Sequence, residues 1–190
     1  MRCLTCQSLS IKAICKSCQE KLLIPTIKKR ELARDFIVYS FFEYKDIKEL
    51  LNTKYEFYGD RVFNILANIS FSKFAKEFSY TSVVFAISVD DVRSHQFSQA
   101  SILAKSLNSL HIKPLYNKLL TKNKIKYAGK SLEYRNKNKR DFKYKGKENI
   151  QVILVDDIVT SGNTLQEAKK VLENNNCEVL FALTLSDAKI

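Results

Sequence analysis

Two adjacent carboxylates followed by a short polar loop are the residues of this chain best suited to chemistry. Asp156 and Asp157 come directly after the apolar run at residues 150–155, and the loop at residues 160–164 (TSGNT) follows them. Carboxylates at the carboxyl end of a buried strand lie where α/β sheets bind ligands, and they can accept hydrogen bonds from two sugar hydroxyls. Consecutive backbone amides at the start of a helix form a binding site for phosphate. The pattern predicts a sugar-phosphate site, with a chance acidic turn before a capped helix as the alternative.

The composition of this loop separates it from other phosphate-binding sequences. The GxxxxGK[ST] pattern of a Walker loop and the GxGxxG pattern of a dinucleotide site are both missing. Gly162 is one of four glycines in the chain, and it stands where backbone must approach an anion closely. Thr164 and Glu167 have the spacing of a capping box, which predicts that the next helix begins near Thr164.

Four cysteines near the amino terminus form a second candidate site. Cys3, Cys6, Cys15 and Cys18 make a CxxC-x8-CxxC array. Two such pairs supply four thiolates, which suits tetrahedral Zn²⁺, and a full set of four protein ligands indicates a structural ion. An iron–sulfur cluster is the main alternative, and redox-active dithiols are another. We expect a zinc-binding module at residues 1–24, with folding energy supplied by the metal.

Strands that alternate with helices must position these sites. Apolar and aromatic runs predict strands, and helical spacing of apolar residues predicts helices. The predicted strands are residues 36–44, 81–88, 150–155 and 178–185, and the predicted helices are residues 46–57, 60–78, 97–110 and 164–174. Continuous apolar runs are typical of strands buried on both faces of a parallel sheet. We therefore predict an α/β domain with a mainly parallel sheet over residues 36–190, joined to the zinc module by a linker at residues 25–35.

The positive charge of the chain is concentrated in one segment. Residues 113–147 contain thirteen Lys and Arg against two acids, a balance of +11 out of the total of +12. Such a segment attracts a polyanion, although a lysine-rich solubilising loop has the same composition. Aromatic residues interleave with the cations, which suits single-stranded nucleic acid, while the same rings could instead pack the loop onto the domain. The candidates for nucleic-acid contact are Lys126, Tyr127, Lys130, Tyr134, Arg135 and Arg140.

The sequence also indicates where the protein works. No run of about 18 apolar residues is present, so we expect no membrane insertion. The first residues lack the apolar stretch of a secretory signal, so we expect a cytoplasmic protein. In that reducing compartment, clustered cysteines hold metal more often than disulfides.

The run from Val155 to Thr164 resembles, nearly residue for residue, the signature by which type I phosphoribosyltransferases bind phosphoribosyl pyrophosphate (PRPP). The resemblance implies that Asp156 and Asp157 hold the ribose hydroxyls. It implies that the loop holds the 5′-phosphate through Val159, Thr160, Ser161, Gly162, Asn163 and Thr164. In such relatives a loop after an earlier strand binds pyrophosphate with Mg²⁺, and here that loop corresponds to Ser88, Val89 and Asp90. Asp90 and Asp91 could equally form a solvated turn.

A four-cysteine module followed by a PRPP-binding domain is similar to the ComF (ComFC) family over essentially the whole chain. Residues 93–100 resemble the family segment RxRGFNQA and keep Arg93, Phe97, Gln99 and Ala100, whereas His95, Gln96 and Ser98 depart from it. Within the basic segment, Leu132, Arg135, Asn138 and Phe142 match a second family stretch, at a place where such transferases carry a mobile loop. The family is associated with natural transformation.

This resemblance implies a PRPP-binding, zinc-containing protein needed for natural transformation. It would handle incoming single-stranded DNA in the cytoplasm beside a helicase or recombination partner, with Mg²⁺ accompanying PRPP. Phosphoribosyl transfer to an unidentified acceptor would make it an enzyme. The alternatives are a free-standing phosphoribosyltransferase of nucleotide metabolism and a PRPP-sensing regulator without catalysis.

Overall fold

The structure is a computed structural model that describes residues 1–89, 98–121 and 140–189. Its helices are α1 (Lys16–Leu22), α2 (Tyr44–Asn52), α3 (Gly59–Ile69), α4 (Phe71–Glu77), α5 (Gln99–Ser106) and α6 (Asn163–Glu173), with a 3-10 turn at Thr53–Tyr55. Its strands are β1 (Lys28–Ala33), β2 (Phe36–Glu43), β3 (Val84–Ser88), β4 (Ile112–Leu115), β5 (Leu119–Thr121), β6 (Phe142–Tyr144), β7 (Gln151–Val159) and β8 (Glu178–Asp187). No helix in these described ranges is both long and apolar enough to cross a membrane.

Six of the described strands form one sheet in the order β1-β2-β8-β7-β3-β4. All neighbours pair in parallel except β1, which runs antiparallel to β2 at the edge. The α/β class and the mainly parallel sheet predicted from the sequence are therefore confirmed. β5 and β6 form a separate antiparallel pair.

The central strand β7 shows why the sheet is buried on both faces. Ile153 and Val155 pack in one apolar cluster with α2, α3, α4 and α5. Val152 and Leu154 point to the other face and pack with α6 and with the β5–β6 pair. This alternation follows from the two-residue period of a strand, and it makes every position of the run at residues 152–155 a core position.

The structure divides one of the predicted helices and shortens others, and it adds α1, which was not predicted. The helix expected over residues 60–78 is divided into α3 and α4 at Ser70, where the backbone leaves helical geometry and the hydroxyl donates to the Leu66 carbonyl at 2.6 Å. The helix expected over residues 46–57 ends at Asn52 and continues as the 3-10 turn. A 3-10 turn and the exposed residues 55–57 thus follow α2 where more helix was predicted.

Residues 25–35, which we predicted to be a linker, contain the edge strand β1. Lys28 to Ala33 pair with β2 through a backbone ladder, which local sequence could not indicate because this strand is polar and largely exposed. The amino-terminal module also packs on the sheet domain. Cys3, Ile14 and Cys18 lie in the same apolar cluster as Phe41 of β2.

Candidate functional site

The acid pair lies on the part of β7 that extends beyond its neighbour β3 but still pairs with β8. β7 pairs with β8 as far as Val159, but its pairing with β3 ends at Val155, opposite Ser88. Asp156 and Asp157 therefore lie inside the last part of β7, beyond the end of β3. We had predicted that the strand ends at residue 155; it continues because β8 supplies pairing that extends past the acids. An opening beside the carboxyl ends of strands is the place where open α/β sheets bind ligands.

Asp156 is hydrogen-bonded to the backbone of Asp157, and the Asp157 carboxylate pairs with a lysine. The Asp157 amide donates to Asp156 Oδ1 at 2.8 Å, and Lys54 Nζ lies 2.9 Å from Asp157 Oδ2. Burial, and then repulsion from Asp157, raises the pKa of Asp156 well above its usual value, while Arg140 opposes this shift. Burial alone would lower the pKa of Lys54, but the attraction of Asp157 outweighs it and the pKa is raised. Lys54 thus contacts the pair directly, and the positive charge of Arg140 also acts on Asp156.

The loop after β7 turns sharply into α6 at Gly162. This residue has a φ of +84° and precedes the first helical residue, Asn163. A Cβ at Gly162 would stand 2.5 Å from the Leu32 side chain, so both the backbone angle and the available space favour glycine. The exposed amides at the start of this 11-residue helix can bind an anion.

The predicted capping box at this helix is wrong. The cap position is Gly162, and no side chain caps the helix there. Glu167 instead accepts a hydrogen bond from the Arg140 amide at 2.8 Å, which ties the end of the basic segment to α6. The Thr164 and Glu167 pattern failed because α6 begins one residue before Thr164 and Glu167 has another partner.

The edge strand β1 is hydrogen-bonded to the loop that follows β7 and to the first turn of α6. Arg30 Nη2 donates to the Thr160 carbonyl at 2.8 Å. The Leu32 carbonyl accepts from Gln166 Nε2 at 2.9 Å. Arg30 Nε also lies 2.9 Å from Asp187 Oδ2 at the end of β8. β1 and β8 together therefore fix the position of the loop, a role that sequence analysis did not assign to Arg30 or Leu32.

The second predicted segment begins beside the acid pair. Ser88 and Val89 are buried, and the Val89 amide donates to the Val155 carbonyl at 2.9 Å. The Ser88 hydroxyl is 3.1 Å from that of Ser101 in α5. Asp90 lies outside the described residues, as do Asp91, Arg93 and Phe97. Val89 thus lies next to the strand position that precedes Asp156.

The four amino-terminal cysteines converge. Their sulfur atoms lie within 4.8 Å of one another, and the Cys6 and Cys15 sulfurs are 3.7 Å apart. Zinc–sulfur bonds of about 2.3 Å in a tetrahedron place sulfurs about 3.8 Å apart, so the cluster fits Zn²⁺. Although burial alone would raise the pKa of Cys3, hydrogen bonds from backbone amides, led by that of Cys15, lower it to about 6. Burial, followed by contact with Cys15, raises the pKa of Cys18 to about 12.

Only the ends of the basic segment are described. Lys143, Lys145 and Lys147 are exposed, whereas the neighbouring rings of Phe142 and Tyr144 are buried in the core. The two rings therefore pack the segment onto the domain and are not available for stacking on bases. Arg140 is half-buried beside α6. The candidates Lys126, Tyr127, Lys130, Tyr134 and Arg135 lie outside the described residues.

Comparison with known proteins places the chain in a family. The family described as "Phosphoribosyl transferase domain" matches residues 67–189, which contain β3, β7 and the loop into α6. The chain belongs to this family. Comparison with curated proteins returned no match.

Several solved structures resemble the fold. An adenine phosphoribosyltransferase aligns with 89% of this chain and 88% of its own, at 15% identity and a TM-score of 0.45. A hypoxanthine phosphoribosyltransferase from Staphylococcus aureus aligns with 66% of this chain and 62% of its own, at 16% identity and 0.43. The chain spans only 24% of a Leishmania donovani UMP synthase, which covers 73% of this chain at 16% identity and 0.42.

Proposed function

We propose that the protein binds PRPP, with Asp156 and Asp157 accepting hydrogen bonds from the ribose hydroxyls. The observation that carries this proposal is the position of the acid pair, next to a helix-start loop and beyond the end of β3. Thr160 to Thr164 would hold the 5′-phosphate, with Val159 at the start of the loop. Ser88, Val89 and Asp90 would adjoin the pyrophosphate. Mg²⁺, which prefers carboxylate and phosphate oxygens, would bind together with PRPP.

The four-cysteine cluster supports a structural Zn²⁺ in this proposal. Four sulfurs leave no open position for a catalytic water. Cys3 and Cys18 pack in the apolar cluster of the domain, so the ion would hold the module against β2. A module fixed in this way could present a surface to a helicase or recombination partner.

We further propose a cytoplasmic role in natural transformation, as in the ComF family, with the basic segment contacting single-stranded DNA. The support is the concentration of charge in residues 113–147 and the exposure of Lys143, Lys145 and Lys147. A backbone of phosphates would be neutralised by these cations in a salt-dependent way. Free-standing nucleotide synthesis and PRPP sensing are the competing roles.

Phosphoribosyl transfer is the reaction that such a site supports. The bond between C1 of the ribose and the pyrophosphate breaks, the acceptor bonds to C1, and pyrophosphate leaves with the electron pair. The loop and the acids would hold the sugar while positive charge develops on it. Pyrophosphate release with one nucleobase acceptor would indicate nucleotide synthesis. Absence of release from every base, together with DNA binding, would favour the transformation role.

The DNA-binding part is tested by anisotropy of a labelled oligonucleotide at several salt concentrations. The variant Lys143→Ala/Lys145→Ala/Lys147→Ala removes three exposed cations of the basic segment. Each phosphate contact contributes roughly 0.7 to the salt slope for a single strand, so the slope should fall by up to about 2. Lys45→Ala/Lys48→Ala/Lys76→Ala is the control with equal charge loss on α2 and α4. Equal effects of the two triple variants, or no binding by the parent, would contradict DNA contact through this segment.

A further inference from the structure

Lys54 is a partly buried cation beside the acid pair that the family signature does not include. It lies in the 3-10 turn after α2, 103 residues from Asp157 in sequence, and its ammonium reaches Asp157 Oδ2 at 2.9 Å. The lysine side chain is 25% exposed and that of Asp157 is 14% exposed. A lysine buried to this extent has lost much of its hydration, so its positive charge must be stabilised by an anion in the site.

The turn holds Lys54 in place through several contacts. The Lys54 carbonyl accepts from Gln99 Nε2 of α5 at 3.2 Å. The neighbouring Thr53 is buried and its hydroxyl donates to the Leu50 carbonyl at 2.6 Å. The ammonium also lies 5.5 Å from the centre of the Tyr55 ring, within the range of a cation–π contact. Hydrogen bonds to α2 and α5 therefore fix the turn that carries the cation.

The proposed ligand is strongly anionic, so a cation beside the acid pair would favour its binding together with Mg²⁺. PRPP carries a phosphate and a pyrophosphate, and the carboxylates that would bind its hydroxyls are also negative. An ammonium has three donors, and one bond to Asp157 leaves two for other acceptors. A ribose hydroxyl that donates to Asp157 would lie about 3 Å from that carboxylate. In PRPP, the ring carbon that carries the pyrophosphate is bonded to the carbon that carries one of these hydroxyls. The Lys54 ammonium is 2.9 Å from the same carboxylate, so it would be within side-chain reach of the pyrophosphate if Asp157 accepts from that hydroxyl.

We propose that Lys54 is a pyrophosphate-binding residue of the PRPP site, which bridges Asp157 and the pyrophosphate group of the ligand. This inference rests on the proposed function. It assigns to the turn at residues 53–55 a direct part in distinguishing PRPP from ribose 5-phosphate. The two ligands share the sugar and the 5′-phosphate, and only PRPP has the group that Lys54 would contact.

The test is calorimetric titration of zinc-loaded full-length protein with PRPP and with ribose 5-phosphate, both with Mg²⁺. Lys54→Met removes the charge and keeps the length, and Lys54→Arg restores a cation. Lys48→Met on the exposed part of α2 is the matched control. We expect Lys54→Met to weaken PRPP on the order of 10- to 100-fold and ribose 5-phosphate by less than about threefold. Lys54→Arg should recover most of the affinity.

The outcomes separate this inference from the proposed function. If the folded parent binds no PRPP, the proposed function itself fails. If the parent binds but Lys54→Met binds PRPP normally, or weakens both ligands equally, Lys54 is not a pyrophosphate contact. Thermal unfolding of each variant shows whether the fold is retained. If Lys54→Met does not fold, Lys54→Gln, which can still donate to Asp157, takes its place under the same criterion.

Discussion

Replacement of Arg30 by methionine should destabilise the protein through the loss of one buried ion pair. Arg30 Nε lies 2.9 Å from Asp187 Oδ2, and the two side chains are 16% and 3% exposed. The contact is an ion pair rather than a hydrogen bond, and Arg30 Nη2 separately donates to the Thr160 carbonyl. The variant would leave the buried Asp187 side chain without its cationic partner.

The size of the effect follows from this burial. Removal of one partner of a buried pair costs about 3–5 kcal/mol. Asp187 keeps one hydrogen bond, from the Lys189 amide to Oδ1 at 2.9 Å, and Arg30 is partly exposed, so we expect the lower end of about 3 kcal/mol. For a chain of this length that loss corresponds to a decrease in Tm of roughly 6–12 °C. The double variant Arg30→Met/Asp187→Asn should be more stable than Arg30→Met by about 2 kcal/mol, because it leaves no unpaired buried charge.

Urea and thermal unfolding, followed by circular dichroism, measure these differences. Arg34→Met is a matched control in the same hairpin, since Arg34 is 97% exposed and its nearest acid, Asp35, is 3.9 Å away. That variant should stay within about 0.5 kcal/mol of the parent. If Arg30→Met behaves like Arg34→Met, or if the double variant is less stable than Arg30→Met, the role given to this ion pair is refuted.

Three further predictions concern the cysteines, Gly162 and Asp156. Cys6→Ser should reduce bound zinc, measured by elemental analysis, from about one ion per chain to near zero and lower the Tm by several degrees. Cys177→Ser, which lies outside the cluster, should retain the metal. Gly162→Ala should lower the free energy of unfolding in urea by about 1–3 kcal/mol, because an alanine there is strained at a φ of +84° and its Cβ meets Leu32. Adding Leu32→Ala to that variant should remove the contact with Leu32 but not the backbone strain. Burial raises the pKa of Asp156, so the folded state binds the Asp156 proton more tightly than the unfolded state does. The free energy of unfolding therefore falls as the pH rises from about 4 towards the raised pKa of Asp156. Asp156→Asn should therefore raise the Tm by a few degrees at neutral pH and change it little near pH 4; a lower Tm at neutral pH would contradict this.

The sequence predicted the parts of the fold and site that depend on local pattern. The apolar run before Asp156 marks a strand because all four positions from residue 152 to 155 are buried, and four of the five residues of β3 are buried as well. The cysteine array is likewise local, since 14 residues of sequence separate its outer members. Gly162, singled out for close approach to an anion, has a backbone angle and a close neighbour that both favour glycine, while its contact with an anion stays a prediction.

The missing parts depend on contacts between distant segments. Arg30 and Thr160 are 130 residues apart, and Lys54 and Asp157 are 103 residues apart. β1 is an edge strand with exposed polar side chains, so it carries no alternating apolar pattern to distinguish it from a linker. Lys54 fell inside a predicted helix because the periodicity of α2 continues through residues that form the 3-10 turn. No local pattern marks which strand end or turn will face the acid pair.

The central claim, that the acid pair of β7 binds PRPP, is tested most directly by titration of PRPP with Mg²⁺ into the folded, zinc-loaded parent and Asp156→Asn/Asp157→Asn. Loss of two charged acceptors, at about 1.5–3 kcal/mol each, should weaken binding by at least about 100-fold. Asp46→Asn on the exposed start of α2 is the control and should bind as the parent does. Saturable binding by the parent and the control, but not by the double variant, is the result we predict. No binding by the parent, or equal binding by the double variant, would contradict the account.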